Sequence, residues 1–202
     1  FAMPFEAYPN VNYDGLATDT EKTAFIFQFL LAKERFISLF CVLFGAGIVM
    51  FLERARAKNF EPYPFMSHRL SLLMLFGFIH LSTLFFGDIL LSYGLTGTII
   101  YKWSEKEPHF LMRRGIIFIA VGALLLMAIA WGMSFLPADA MEQDPNSPFF
   151  MNPVGSFENF FNYNIMMGLN LVFMFPVIFW TLAGGMLIGM ALMKNGFFIK
   201  GT

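Results

Sequence analysis

The chain has 202 residues, of which 57% are hydrophobic and only 13% charged, with a formal net charge of −1. Soluble domains carry about 25% charged residues, so this deficit excludes a water-facing globule and points to a chain that lies in a bilayer. The near-neutral charge does not suit a nucleic-acid partner, and the single cysteine, Cys41, excludes an internal disulfide. The mean hydropathy is +0.64. The 28 phenylalanines fit the same setting, because lipid tails and helix contacts accept rings without a polar partner.

Residues 1–20 mix prolines, asparagines and Gly15 and read as extended or loop. They show neither an initiator Met nor the basic-then-apolar layout of a signal peptide. The last residues, FFIKGT, stop just after an apolar run, so both ends read as cut from a longer protein. From Thr20 to Arg35 an apolar pattern with polar residues interspersed predicts an interfacial helix. Phe36–Leu52 is free of charge and just long enough to span. The segment 53–69 is charged and holds Pro62 and Pro64, which predicts a loop. Leu70–Phe86 and Ile89–Tyr101 then form a predicted membrane hairpin, with a tight turn at Gly87-Asp88 where glycine supplies a positive φ. A second charged loop covers 102–114, and Gly115–Phe135 is a further uncharged span. Pro137–Pro153 is acidic and proline-rich and predicts an external loop. Ser156–Gly168 predicts a helix along the interface. Leu171–Met193 is again uncharged, with Pro176 predicting a kink and Gly185-x-x-x-Gly189 a helix-packing face.

The expected fold is therefore all-α: a polytopic transmembrane helical bundle of about five spans plus interfacial helices. The spans lie near 36–52, 70–86, 89–101, 115–135 and 171–193, in a single membrane domain over 1–202. Loops 53–69 and 102–114 and the tail carry the lysines and arginines, whereas 136–164 carries none. The positive-inside tendency places loops 53–69 and 102–114 in the cytoplasm, with loop 136–164 and Asp88 outside.

Few residues could carry chemistry. His80 falls about 15 Å into its predicted helix, where an ionisable group suggests function; the plain alternative is a neutral imidazole bonded to a neighbour such as Ser82 or Thr83. Asp88 at the turn is either a helix cap alone or a cap that also meets a substrate. The two are eight positions apart, too far for a direct bond along one helix, with space for a water or a substrate between them. Arg35 falls at the extracytoplasmic end of its span and needs a carboxylate partner, Asp88 or Glu34. His80, Asp88 and Arg35 form the candidate catalytic set, and Tyr93 a candidate substrate contact. Arg54, Arg56, Lys58 and Arg69 form a basic cluster for anionic lipid or for the phosphates of a nucleotide-bearing donor. Cys41 reads as a buried spectator thiol. ATPase, zincin and C-x-x-C motifs are absent, and neither a metal nor a resident cofactor is expected.

Arg35-Phe36-x-x-Leu39-Phe40-x-x-Leu43-Phe44-Gly45-x-Gly47, Leu52-Glu53-Arg54-Ala55, Arg69-Leu70, Leu75-x-Gly77-x-x-His80 and Gly87-Asp88-Ile89-Leu90-x-x-Tyr93-x-x-x-Gly97 resemble the YeiB-like bacterial membrane proteins. Leu182-x-Gly184-x-Met186-x-x-Gly189-Met190-Ala191-Leu192 is similar to a later helix of that family. His68 departs from it, standing where the family often has a second arginine. The resemblance implies a bacterial inner-membrane, multi-pass protein with further helices on both sides of this stretch. It also implies a distant similarity to transmembrane acyltransferases, which pass an acyl group from a cytoplasmic thioester, such as a coenzyme A thioester, to an extracytoplasmic sugar. The expected partners are the lipid bilayer and a small-molecule or glycan substrate. Acyl transfer leads; a small-molecule transporter or permease and a structural membrane subunit are the alternatives.

Overall fold

The computed structural model describes Thr18, Thr20, Thr23 and residues 34–85, 87–135 and 156–198. The N-terminal segment, most of the expected interfacial helix before Arg35 and the acidic loop 137–153 lie outside the described residues. The chain divides into two compact units, Phe1–Phe40 and Cys41–Thr202. The second holds almost all of what is described.

Every described element is helical: α1 (Glu34–Ala57), α2 (Pro62–Thr83), α3 (Leu90–Ile100), a 3-10 turn (Tyr101–Glu105), α4 (Pro108–Met133) and α5 (Phe157–Lys194). Four stretches are long and apolar enough to cross a membrane: Arg35–Ala57, Pro62–Thr83, Pro108–Gly132 and Val172–Lys194. They correspond to four of the five expected spans. The fifth, α3, has only 11 residues, about 16 Å of helix. The 3-10 turn adds about 10 Å, so together they approach the roughly 30 Å of a hydrocarbon core.

The expected loop 53–69 is mostly helix. α1 continues to Ala57, the chain reverses through Asn59 at φ 58, and α2 begins at Pro62. Pro62 and Pro64 do not break the helix because they occupy its first turn, where a missing N–H removes no intrahelical bond. At the other end α2 stops at Thr83, three residues before the expected end. There the Ser82 and Thr83 hydroxyls both donate to the Ile79 carbonyl, at 3.0 and 2.7 Å, and the Leu84 and Phe85 amides both turn back to the His80 carbonyl. Gly87 does not take a positive φ; among the described residues only Asn59 and Gly196 do. A Cβ at position 87 would approach the exposed Phe85 ring to 2.5 Å.

α2 and α3 run antiparallel in backbone contact. A Cβ on Gly77 would meet the Leu91 nitrogen at 2.4 Å, one on Gly94 the Met74 nitrogen at 3.2 Å, and one on Gly97 the Leu70 side chain at 2.8 Å. As one partner rises in number the other falls, which is the signature of a hairpin. The 3-10 turn completes the return, since the Tyr101 ring packs on Tyr63 in the first turn of α2. α4 and α5 form a second antiparallel pair, in which Gly115 faces Gly184 and Gly122 faces Thr181. α1 crosses α5 at the expected small-residue face: a Cβ on Gly45 would come within 1.9 Å of the Met186 carbonyl oxygen, and one on Gly189 within 1.9 Å of that of Val42. Close approach of this kind, rather than apolar burial, is what joins helices whose surroundings are also apolar.

Ser156–Gly168 is not a separate interfacial helix. α5 runs unbroken for 38 residues through Pro176, and the Ser156 hydroxyl caps it by accepting from the Asn159 amide at 3.1 Å.

Candidate functional site

The closing turn of α2 and the opening turn of α3 meet at His80 and Asp88. His80 is three residues from the end of α2, about 5 Å along its axis, and so nearer the end of the bundle than the expected depth. Asp88 stands just before α3. Its Oδ1 accepts from the Leu91 amide at 2.8 Å, capping α3 as the sequence suggests. Its Oδ2 lies 2.9 Å from His80 Nδ1, in contact but short of an aligned hydrogen bond. The spacing argument against direct contact assumed a helix that persists to the turn. α2 ends at Thr83 instead, and the chain folds Asp88 back onto the preceding turn.

A carboxylate at a helix N-terminus is favoured by the backbone dipoles. The Asp88 side chain is fully buried, whereas that of His80 is 39% exposed. Gly77, one turn before His80 on α2, makes the arrangement possible: a Cβ there would stand 2.9 Å from Asp88 Oδ1 as well as 2.4 Å from the Leu91 nitrogen. Asp88 also borders a small crevice with Leu81, Leu91, Ser92, Leu95, Val172 and Phe175. Its volume of about 10 Å³ is that of a single water.

The other expected residues are placed elsewhere. Tyr93 is buried in the core of the bundle; its hydroxyl oxygen is 3.3 Å from Cys41 Sγ, the donor of that bond, and its ring packs on Phe44. Arg35 lies in the opening turn of α1, within the first unit. The basic cluster divides by role. Arg56 pairs with Glu105 at 3.0 Å, and the Arg69 guanidinium lies over the Phe51 ring at 5.2 Å. Arg54 and Lys58 are exposed. Among the described residues no group of three or more His, Cys, Asp or Glu could hold a metal ion.

Sequence reasoning passed over a second feature, at the opposite end of the bundle. A cleft of about 320 Å³ is lined by Val49, Leu52, Glu53, Arg56, Ser104, Glu105 and Lys194. Lys194 closes the last turn of α5 and donates to the Ser104 and Lys106 carbonyls at 2.8 and 2.7 Å. Tyr63 donates to Glu105 from the first turn of α2. No local pattern links residues 53, 104 and 194, which only packing brings together.

Across its full length the chain is 32% identical over 206 aligned positions to YeiB of Escherichia coli, described as uncharacterised, and it spans 51% of that protein. It is 37% identical over 93 residues, 46% of the chain and 22% of the relative, to YxaH of Bacillus subtilis, also described as uncharacterised. The chain thus spans about half the length of the first relative. No family model and no solved structure matches it.

Proposed function

The chain belongs to the YeiB-like family, and we propose that its His80–Asp88 pair is the general base of an acyl transfer to a hydroxyl-bearing substrate outside the membrane. The observation that supports this is the asymmetry of the pair. Asp88 is fixed by its bond to the Leu91 amide and by complete burial, while the imidazole it faces stays 39% exposed. A carboxylate so held favours the tautomer with its proton on Nδ1, which leaves Nε2 as the basic nitrogen. In the transfer the substrate hydroxyl gives its proton to Nε2 as its oxygen attacks the thioester carbonyl. The C–O bond forms, the C–S bond breaks, and the imidazolium returns the proton to the leaving thiolate. Arg69 stands about 16 Å from His80 along α2, and Arg54 and Lys58, near the level of its first turn, roughly 27 Å. They would meet the donor's phosphates. In this reading the protein sits in the bacterial inner membrane with that basic end in the cytoplasm and the α2–α3 turn outside. A proton-coupled transporter is the second reading, favoured by the water-sized crevice beside Asp88.

The test uses the full-length protein. Thermal shifts are measured with coenzyme A thioesters, with coenzyme A itself and with a panel of small solutes, followed by thiol release in the presence of acceptor sugars. His80→Asn keeps an amide near Nδ1 for Asp88 and removes the Nε2 base. Thioester-dependent stabilisation, with turnover lost in His80→Asn at an unchanged melting temperature, is the expected result. Stabilisation by a solute alone, or full turnover in His80→Asn, would overturn the acyl-transfer reading.

A further inference from the structure

We propose that the cleft between the ends of α1, α5 and the 3-10 turn binds a zwitterion of the phosphoethanolamine type, its ammonium on Glu53 and its phosphate on Arg56, Lys194 and Ser104. This site is separate from the His80–Asp88 pair and needs no acyl transfer. Its dimensions suit a small ligand: about 320 Å³ is within the range of small-molecule pockets. Val49 and Leu52, both buried, give it an apolar wall on α1, and Glu53 and Arg56 share that helix face.

The hydrogen-bonding inventory sets the chemistry. Arg56 turns to Glu105 on the 3-10 turn rather than to Glu53, three residues before it on its own helix. Glu53 therefore presents an exposed carboxylate with no ion pair among the described residues. Around it, beside the Glu105 carboxylate that Arg56 and Tyr63 already engage, the remaining groups are donors. Lys194 uses two of its three N–H groups on the Ser104 and Lys106 carbonyls, and Arg56 has further guanidinium donors beyond the one on Glu105. Ser104 lines the cleft, is 6% exposed, and its Oγ has no hydrogen-bond partner. A buried hydroxyl without a partner costs stability, and a phosphate oxygen would satisfy it. A carboxylate without an ion pair, beside donors with N–H groups to spare, matches a ligand carrying both signs. The carboxylate requires an ammonium that still bears N–H groups, which a quaternary amine lacks.

The ligand could come from the bilayer, as a phosphatidylethanolamine headgroup, or from solution, as free phosphoethanolamine. Native mass spectrometry of the detergent-purified full-length protein, with phosphatidylethanolamine, phosphatidylglycerol and phosphatidylcholine at equal concentration, tests the shared chemistry. Phosphatidylethanolamine should bind about tenfold better than the other two, the order expected of one charge-assisted hydrogen bond. Glu53→Gln is isosteric and exposed and should erase that preference, whereas Glu61→Gln, exposed and outside the cleft, should keep it. Displacement of the bound lipid by soluble phosphoethanolamine supports the site with a soluble ligand. Retention of the lipid, with the preference intact, supports it with a lipid headgroup. Equal binding of the three lipids, or a preference that survives Glu53→Gln, overturns the proposal, and neither result bears on His80.

Discussion

Gly77 and Leu91 touch backbone to backbone, so that a single methyl on Gly77 would stand 2.4 Å from the Leu91 nitrogen. That nitrogen is the donor bonded by Asp88. The contact therefore couples the packing of α2 on α3 to the position of the carboxylate that faces His80.

Gly77→Ala should accordingly lower stability by about 1–3 kcal/mol, the usual penalty of overpacking, and should move Asp88 away from His80. Gly45→Ala and Gly189→Ala should be at least as damaging, since each would press a Cβ to 1.9 Å from a carbonyl oxygen of the neighbouring helix. Gly47 has nothing within 4 Å of an added Cβ, so Gly47→Ala should be neutral or stabilising by up to about 1 kcal/mol through helix propensity. Thermal melts in detergent rank the four variants; Gly77→Ala matching Gly47→Ala would contradict the tight α2–α3 contact.

The pair can be isolated by a double-mutant cycle. His80→Ala leaves the buried Asp88 side chain without the group it faces, and a buried polar group left unpaired costs about 1–3 kcal/mol. Asp88→Asn keeps an acceptor for the Leu91 amide and removes the charge. His80→Ala should therefore be milder in the Asp88→Asn background, by more than about 1 kcal/mol, the scale of coupling between touching residues. Denaturation of the four proteins reads the difference. Equal effects in the two backgrounds would mean that the 2.9 Å contact carries no energy. Asp88→Ala should cost about 1 kcal/mol beyond Asp88→Asn, the typical worth of the cap.

Topology is open to thiol labelling. Leu84, Lys58 and Lys106 are all exposed, so cysteines there, in a Cys41→Ala background, will react wherever reagent reaches. A membrane-impermeant maleimide should label position 84 in intact cells, and positions 58 and 106 only after permeabilisation. Labelling of 58 and 106 from opposite sides would exclude the α2–α3 hairpin.

The sequence by itself determined that this is an all-helical membrane chain, roughly where four spanning helices lie, and that α2 and α3 fold back on each other. Those features rest on properties summed over long windows: the lack of charge across 36–52 or 115–135, and the pairing of basic segments 53–69 and 102–114 around one hairpin. The Gly185-x-x-x-Gly189 face was legible for the same reason, because small residues one turn apart have little use in a membrane helix other than close packing. Helix ends were not legible, because they turn on single hydrogen bonds. Proline at 62 and 64 breaks a helix interior but not a first turn, and two hydroxyls on the Ile79 carbonyl mark where α2 stops. From that ending follows the direct contact of His80 with Asp88, which linear spacing along an unbroken helix forbids. The cleft of Glu53, Arg56, Ser104, Glu105 and Lys194 was beyond any local reading. Its residues come from three parts of the chain more than 40 positions apart, and only the packing of α1, α5 and the 3-10 turn brings their charges together.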